Sequence, residues 1–435
     1  MTTGGASVYD VVGIGFGPSN LSLAVALDDF DRAGSRPLKV AFFESQPSFG
    51  WHRNMLLPSS KMQVSFLKDL ATFRNPVSRF SFVSYLHSHG RLAQFVNNCD
   101  FFPTRVDFHG YLEWVAANFA DYVEYGARIT SVTPVRGPGP DDPVDRLRIH
   151  VSSGAGSTFV EARNVVMATG LAPKMPDGVV QDEHVWHSSE FLGKFRRSPA
   201  SELRHVVVVG AGQSAAEIVR FCYDEAPNAR ITAVVPSYGY SIADNTPFAN
   251  QVFDPDAVDD YYLSEQHAKD KLWQYHRNTN YSVVDGDVIR SLYQCKYDDD
   301  VRGVERLRFM ELSRITAVKR SCDDTRITVQ SLATGRSDDL DVDVVVCATG
   351  YEPMNGGGLL GDVDRYCLRD SQGRRLVERD YRLTTTKDLR CGIYLQGGTE
   401  HTHGLSSSLL SNLAVRSGEI AESISRNRLD EPSDQ

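Results

Sequence analysis

The stretch VYDVVGIGFGPSN, residues 8–20, decides how this chain is read. A β-rich run ends in Gly13, Gly15 and Gly17 follow, and an apolar-periodic stretch, SNLSLAVALDD, comes next. The pattern predicts a strand, a tight turn and a helix. The glycine spacing is that of a dinucleotide fingerprint, except that Pro18 stands where the third glycine belongs. In this reading Gly13 permits the bend and Gly15 lets the backbone approach a pyrophosphate. That pyrophosphate would lie on the N-terminus of a helix beginning near Ser19, with Gly17 giving a second open approach. Pro18 has no N–H, but the first-turn N–H groups of a helix have no internal partner, so proline costs little there. Glu44 ends the next strand, LKVAFFES, where a carboxylate accepts from ribose hydroxyls. A chance glycine loop would not supply that acid.

A second turn reads RHVVVVGAGQSAAE, residues 204–217, with Gly210, Gly212 and Ala215 in the three places. The rival reading is a nucleophile elbow, GQSAA, with Ser214 as the attacking hydroxyl. The elbow ends in glycine, whereas Ala216 stands here, and Gly210 would be idle. Strands ending V-V-x-A-T-G occur twice, at 163–170 and 343–350, which suggests two related units. The expected fold class is α/β, with two Rossmann-like dinucleotide-binding domains. The first spans 1–197 and resumes over 340–435. The second, 198–339, is inserted in it and carries segment 245–285. Returning strands at DVDVVVCATG and RCGIYLQGG are expected to complete the first sheet. KYDDDVRG, 296–303, reads as a solvated turn and VRGPGPDDPVD, 135–145, as a loop between strands. The last residues, RNRLDEPSDQ, read as a frayed tail.

The 435 residues carry a net charge of −10, which disfavours nucleic-acid and anionic-membrane surfaces. No apolar run approaches the roughly 20 residues of a membrane span, and the N-terminus lacks a signal pattern. The seven cysteines show no C-x-x-C pairing, so no metal site is indicated and a reducing cytoplasm is the expected compartment. Two fingerprints imply two dinucleotides, most economically a flavin and a nicotinamide reductant. Disulfide reductases share that plan but need a cysteine pair beside the flavin. A flavin oxygenase or oxidase remains, with a flavin-free NADP-binding reductase or regulator as the reading outside that class.

The segments KMQVSFLKDLATFRNP (61–76), NTPFANQVFDP (245–255), NTNYSVVD (278–285), CATGYEP (347–353) and HTHGLSSSLLSNLAVRSGEI (401–420) carry a resemblance. They are similar to the flavin-dependent N-hydroxylating monooxygenases, and to the ornithine hydroxylases more than to the lysine enzymes. The resemblance covers essentially the whole chain. It implies FAD and NADPH as cofactors, L-ornithine and O2 as substrates, and a homo-oligomer, a tetramer in the family. It further implies that O2 adds at the flavin C4a as a hydroperoxide, and that the neutral side-chain amine takes the distal oxygen. The product, N-δ-hydroxyornithine, would enter a hydroxamate siderophore or a nonribosomal peptide with an N–N bonded ring. No side-chain nucleophile or metal is required.

By the same resemblance Gln63 contacts the flavin ring near its oxygen-activating edge, and Lys68 holds the substrate carboxylate. Asn250 lies at the amino-acid end, and Asn280 near the reacting nitrogen and the nicotinamide ribose. Gln213 and Ser214 meet the reduced cofactor, and Arg105 contacts its 2′-phosphate. Trp51 and His52 join the cofactor-binding positions, while Ser406, Ser408 and Leu409 form a C-terminal wall. The charges agree: a zwitterionic amino acid needs a cation and amide groups at its head. Asn280 can accept from an amine without adding a charge that keeps it protonated. His187, in VWHSSEF, resembles a linker histidine of related flavin monooxygenases, and a structural role fits it equally. One departure is Pro236, where relatives often carry an arginine for the 2′-phosphate, leaving Arg105, Ser237 and Tyr238 to supply that grip.

Overall fold

The computed structural model describes residues 8–429, apart from 33, 35–36, 59, 138, 140–141, 321–324 and 355–356. Cys322 and the last six residues of the expected tail therefore lie outside the described residues. Among the described residues no helix is long and apolar enough to cross a membrane.

The first sheet is built around residues 8–14. β1 (Val8–Ile14) runs parallel to β2 (Val40–Glu44) on one side and to β6 (Gly156–Met167) on the other. Val11, Val12 and Ile14 are buried, as a central strand covered on both faces requires. β3 (Val123–Tyr125) extends the sheet beyond β2. β4 (Arg128–Arg136) and β5 (Val144–Ser153) continue it beyond β6 as an antiparallel meander. The long β6 changes partner along its length. Its start pairs with β5, and its end lies between β1 and β17 (Gly392–Leu395). One face packs on an aromatic-rich core that includes Phe80, Phe82, Phe108 and Tyr111.

The chain leaves this unit through β7 (Leu171–Pro173). A second sheet follows, of β8 (Val185–His187), β9 (His205–Val209), β10 (Arg230–Val234), β11 (Leu307–Met310) and β15 (Val344–Cys347), all parallel, in the order β11-β10-β9-β15-β8. The helices Gln213–Glu225 and Gly286–Arg302 pack on one face around Ile218, Val219 and Leu292. A three-stranded meander, β12 (Ser313–Arg320), β13 (Thr325–Ser331) and β14 (Ser337–Val342), covers the other. β16 (Tyr351–Pro353) then leads back and pairs antiparallel with β7, Tyr351 opposite Pro173. Both crossings between the units thus run side by side in one two-stranded ribbon.

Two expectations are overturned. DVDVVVCATG does not return to the first sheet: β15 pairs with β8 and β9, and the returning strand is β17. The reason lies in the repeated A-T-G. Ala168 N–H donates to the Ile14 carbonyl at 2.9 Å, and Ala348 N–H to the Val209 carbonyl at 2.8 Å. Each A-T-G closes the glycine turn of its own sheet. β8 and the buried Phe191 and Phe195, which precede residue 198, pack with the second sheet. KYDDDVRG is also not a turn, because it completes the Gly286–Arg302 helix. Lys296 pairs with Asp300 one turn on, and buried Asp299 accepts from the Tyr223 hydroxyl and the Leu307 N–H. Gly303, in the left-handed region at φ 66°, ends the helix.

Candidate active site

The first glycine turn is shaped differently from the expectation at one position. Gly13 is still strand, and its lack of a Cβ makes room for the Phe42 ring: a Cβ there would stand 2.2 Å from Phe42 Cδ1. Gly15 makes the bend, at φ +84°, with the Ala168 carbonyl oxygen 2.5 Å from where a Cβ would lie. Nothing stands within 4 Å of a Cβ at Gly17, so its approach is open. The helix begins at Pro18, and the buried Asn20 carboxamide donates to the Gly15 carbonyl at 2.7 Å, locking the turn. Glu44 ends β2, where Oε2 accepts from the Phe16 N–H at 2.7 Å and Oε1 from the Gln46 N–H at 2.8 Å. This cradle fits the pyrophosphate and ribose of an FAD.

The second turn repeats the plan. Gly210 has φ +145°, and a Cβ there would meet the Ala348 carbonyl oxygen at 2.3 Å. At Gly212 the nearest atom is Ser282 Cα, 3.9 Å away, so this approach is open too. Gln213 and Ser214 begin the following helix, whose free N–H groups suit a second pyrophosphate. Val209, Gly210, Pro236, Arg314 and Thr349 help line a cavity of about 380 Å³ at the carboxyl ends of these strands. That is where dinucleotides bind in such sheets, and Arg314 is the cation among the lining residues.

Lys68 owes its place to the buried Asp69. That carboxylate accepts from the N–H groups of Ala71, Thr72 and Phe82 and from the Thr72 hydroxyl, pinning an otherwise irregular segment. Lys68 Nζ then lies 6.0 Å from the Phe73 ring centre and 5.9 Å from that of Phe253. It makes no ion pair or hydrogen bond among the described residues. Burial pushes its pKa down, and the Asp254 charge partly restores it. A half-buried ammonium left without a partner is a site for an incoming carboxylate. Phe253 follows Asn250, whose Nδ2 donates to the Asn245 carbonyl at 2.9 Å. The C-terminal wall closes on the same place: Asn412 Nδ2 donates to the Ser406 hydroxyl at 3.0 Å and toward the Asp254 carbonyl at 3.5 Å. Ser408 Oγ donates to Glu400 and accepts from the Gly398 N–H, and the Leu409 N–H caps on the Ser406 carbonyl. Asn280 sits in the 278–285 segment beside the second turn, its carboxamide half-buried and without a hydrogen bond among the described residues.

Arg105 faces a partner the sequence did not announce. Its guanidinium binds both oxygens of Glu217, at 2.9 and 3.0 Å, and donates to the Met55 carbonyl at 2.8 Å. The two side chains are 12% and 5% exposed, so this is a buried pair joining the two units. A grip on a 2′-phosphate would require it to open. Gln213 Nε2 donates to Glu217 at 2.9 Å and to Asp285 at 3.0 Å, and Gln63 Nε2 donates to the other Asp285 oxygen at 3.3 Å. His52, in the left-handed region at φ 48°, lies edge-on to Trp51 and Tyr351 and is reachable by solvent, though protein surrounds it: a side chain on a cleft floor. The surrounding protein and then the Arg105 charge push its pKa down. His187 is buried, within 3.0 Å of both the Gly350 carbonyl and the Ser189 hydroxyl, and here serves the ribbon. Sequence reasoning missed Asn20, Glu217 and Asp285; all three stand inside motifs it quoted, and that neighbourhood is the signal that was there.

Comparison with known proteins agrees with this geometry. The profile of the family described as L-lysine 6-monooxygenase/L-ornithine 5-monooxygenase matches residues 7–353. An L-ornithine N(5)-monooxygenase of Burkholderia cepacia is 40% identical over 405 residues, covering 92% of this chain and 90% of that protein. The solved structure of the Kutzneria sp. 744 ornithine N-hydroxylase with reduced FAD, NADP+ and L-ornithine is 60% identical, with a TM-score of 0.93, covering 97% of this chain and all of that one. An L-lysine 6-monooxygenase from Pseudomonas syringae is 31% identical with a TM-score of 0.83, over 96% of this chain and 99% of that one. With its two glycine turns, its unpaired lysine and these matches, the chain belongs to the L-lysine 6-monooxygenase/L-ornithine 5-monooxygenase family.

Proposed function

We propose that the protein is an FAD- and NADPH-dependent L-ornithine N-δ-monooxygenase. One observation carries the reading: Lys68, an ammonium with no ion pair or hydrogen bond among the described residues, lies near the Phe73 and Phe253 rings where both units and the C-terminal wall converge. The identity to the Kutzneria hydroxylase supports it, and so do the open turns at Gly17 and Gly212, which suit FAD and NADPH respectively. The bound flavin supplies the redox and oxygen-activating chemistry.

The chain's own residues bind, orient and exclude water. Lys68 takes the substrate carboxylate and Asn250 its amino-acid end. Asn280 directs the δ-nitrogen and the nicotinamide ribose, offering an acceptor without a charge that would keep the amine protonated. Gln63, Trp51 and His52 would line the flavin, and the helix-opening N–H groups of Gln213 and Ser214 would meet the reduced cofactor. Ser406, Ser408 and Leu409 shield the site, since water or misplacement diverts reducing equivalents to peroxide. Ornithine, O2, NADPH and a proton give N-δ-hydroxyornithine, water and NADP+. The product serves a hydroxamate siderophore or a nonribosomal peptide. A cytoplasmic homo-oligomer completes the reading.

The second reading is lysine hydroxylation, favoured by the match to the Pseudomonas syringae enzyme. One methylene is worth only ~1–3 kcal/mol in a pocket, so the two substrates must be compared directly. The test is hydroxylamine formation from L-ornithine and from L-lysine at equal concentration, with NADPH consumption recorded beside it. Faster coupled turnover of lysine would reverse the assignment, and a protein without yellow colour would end it.

A further inference from the structure

Asp285 ends the 278–285 motif and has no part in the reading above. It occupies the N-cap position of the Gly286–Arg302 helix, yet its side chain does not cap that helix. The carboxylate reaches outward instead. Oδ1 accepts from Gln63 Nε2 at 3.3 Å, Oδ2 accepts from Gln213 Nε2 at 3.0 Å, and the Asp285 N–H donates to Gln213 Oε1 at 2.9 Å. Gln63 belongs to the first unit, and Gln213 opens the helix after the second glycine turn. A single carboxylate therefore joins the flavin-side glutamine to the nicotinamide-side turn.

We infer that Asp285 is a positioning residue that sets the direction of the Gln63 carboxamide toward the flavin and ties it to the NADP turn. The inference rests on the roles of Gln63 and Gln213 proposed above. An ionised carboxylate only accepts hydrogen bonds, so Gln63 must present its Nε2 and turn Oε1 away from Asp285. That leaves Oε1, which has no hydrogen bond among the described residues, as the acceptor the exposed carboxamide can offer a bound flavin. Gln213 is fixed more firmly: its Nε2 is shared between Asp285 and Glu217, and its Oε1 is taken by the Asp285 N–H. Glu217 has its charge matched by Arg105, whereas Asp285 has no ion pair among the described residues. Two amides hold it in place of a cation. Burial pushes its pKa up and the Gln63 hydrogen bond pulls it back. Glu217 and Asp287 act in the first direction and Arg105 in the second.

The test compares wild type, Asp285→Ala, Asp285→Asn, Gln63→Ala and the double variant Gln63→Ala/Asp285→Ala, each full-length and loaded with FAD. The readouts are hydroxyornithine formed per NADPH consumed, and the flavin absorption spectrum. Asp285→Ala is expected to lower the ratio roughly 2- to 10-fold, the range for one hydrogen bond, and to alter the spectrum of bound FAD. In the Gln63→Ala background the same change is expected to add nothing further to the loss of coupling. Should Asp285→Ala fail to hold FAD, the isosteric Asp285→Asn replaces it, with the same expected drop in the ratio. An undiminished ratio in Asp285→Ala or Asp285→Asn, or losses that multiply in the double variant, would overturn the inference. Wild type that makes no hydroxyornithine in this assay would instead overturn the function proposed above.

Discussion

The two glycine turns are alike in backbone and unlike in what surrounds them. Both place a positive-φ glycine against the carbonyl of an A-T-G alanine, Gly15 on Ala168 and Gly210 on Ala348. At the first turn, Asn20 and Glu44 spend their polar groups on the turn itself, and the next strand ends in an acid suited to ribose hydroxyls. At the second, the next strand ends at Val234 with Pro236 just beyond it, and Gln213 spends its side chain on Glu217 and Asp285, away from the turn. The first turn is braced from within its own unit. The second is braced through residues that also touch the other unit.

Exchanging each bend glycine would test that contrast most severely. Gly15→Ala and Gly210→Ala each force a side chain into a left-handed backbone and against a carbonyl, a strain of ~1–3 kcal/mol before the clash is counted. Gly15→Ala should purify without FAD. Gly210→Ala should keep its yellow colour and be reduced by dithionite but not by NADPH. Absorbance spectra decide both, and a colourless Gly210→Ala would show that the turns are not independent.

The Arg105–Glu217 pair gives the next largest effect. Removing one member of a buried pair typically costs about 3–5 kcal/mol, because the other charge is left buried and unmatched. Arg105→Ala should lower thermal stability and depress kcat/KM for NADPH and NADH alike. Loss confined to NADPH would return Arg105 to the 2′-phosphate. Otherwise Arg314, on the cavity beside Pro236, is the variant to make. Arg314→Ala should weaken NADPH by about 1.5–3 kcal/mol, the range for a charged hydrogen bond, and spare NADH.

Lys68 separates substrate binding from both turns. Lys68→Ala should remove about 1.5–3 kcal/mol of ornithine binding, or roughly 10- to 150-fold in kcat/KM, while stopped-flow reduction of the flavin by NADPH is nearly untouched. Slow reduction with intact ornithine affinity would move Lys68 to the nicotinamide.

The last effect is one of pH dependence, and at neutral pH it vanishes. His403 is buried, stacked on Tyr381 with ring centres 4.1 Å apart, and burial holds it neutral down to about 3. The unfolded chain protonates it near 6.5, so between those values the unfolded state binds more protons. This contribution is complete above pH 6.5 and is lost as pH falls toward 3, at up to ~1.4 kcal/mol per pH unit. Urea titrations at several pH values should show a shallower slope in His403→Asn, and an equal slope would exclude the histidine.

Much of this was legible in residues 8–20 and 204–217, because strand, glycine and helix signals are local and reinforce one another. β15 was misplaced because V-V-x-A-T-G reads the same whichever sheet it joins, and only pairing through Val206–Val209 distinguishes them. Residues 296–303 read as a turn rather than the end of a helix because an acidic run reads as solvated until Tyr223 and Leu307 are seen to bind Asp299. The partner of Arg105 lay 112 positions away, beyond the reach of any local pattern. The lysine and asparagine positions came from motif resemblance, since a lone Lys or Asn carries no spacing signal.

The β7–β16 ribbon has one more consequence. Its two strands lie about one strand spacing apart, ~4.8 Å, so the inserted unit begins and ends at almost the same point. Such a segment can be inserted without stretching the host, but the Arg105–Glu217 pair and the Gln63–Asp285 bond tie it to that host beyond the ribbon. Two covalent strands joined by hydrogen bonds also act as a strap. Such a strap, with the Arg105–Glu217 pair beside it, fixes the orientation of one cleft against the other.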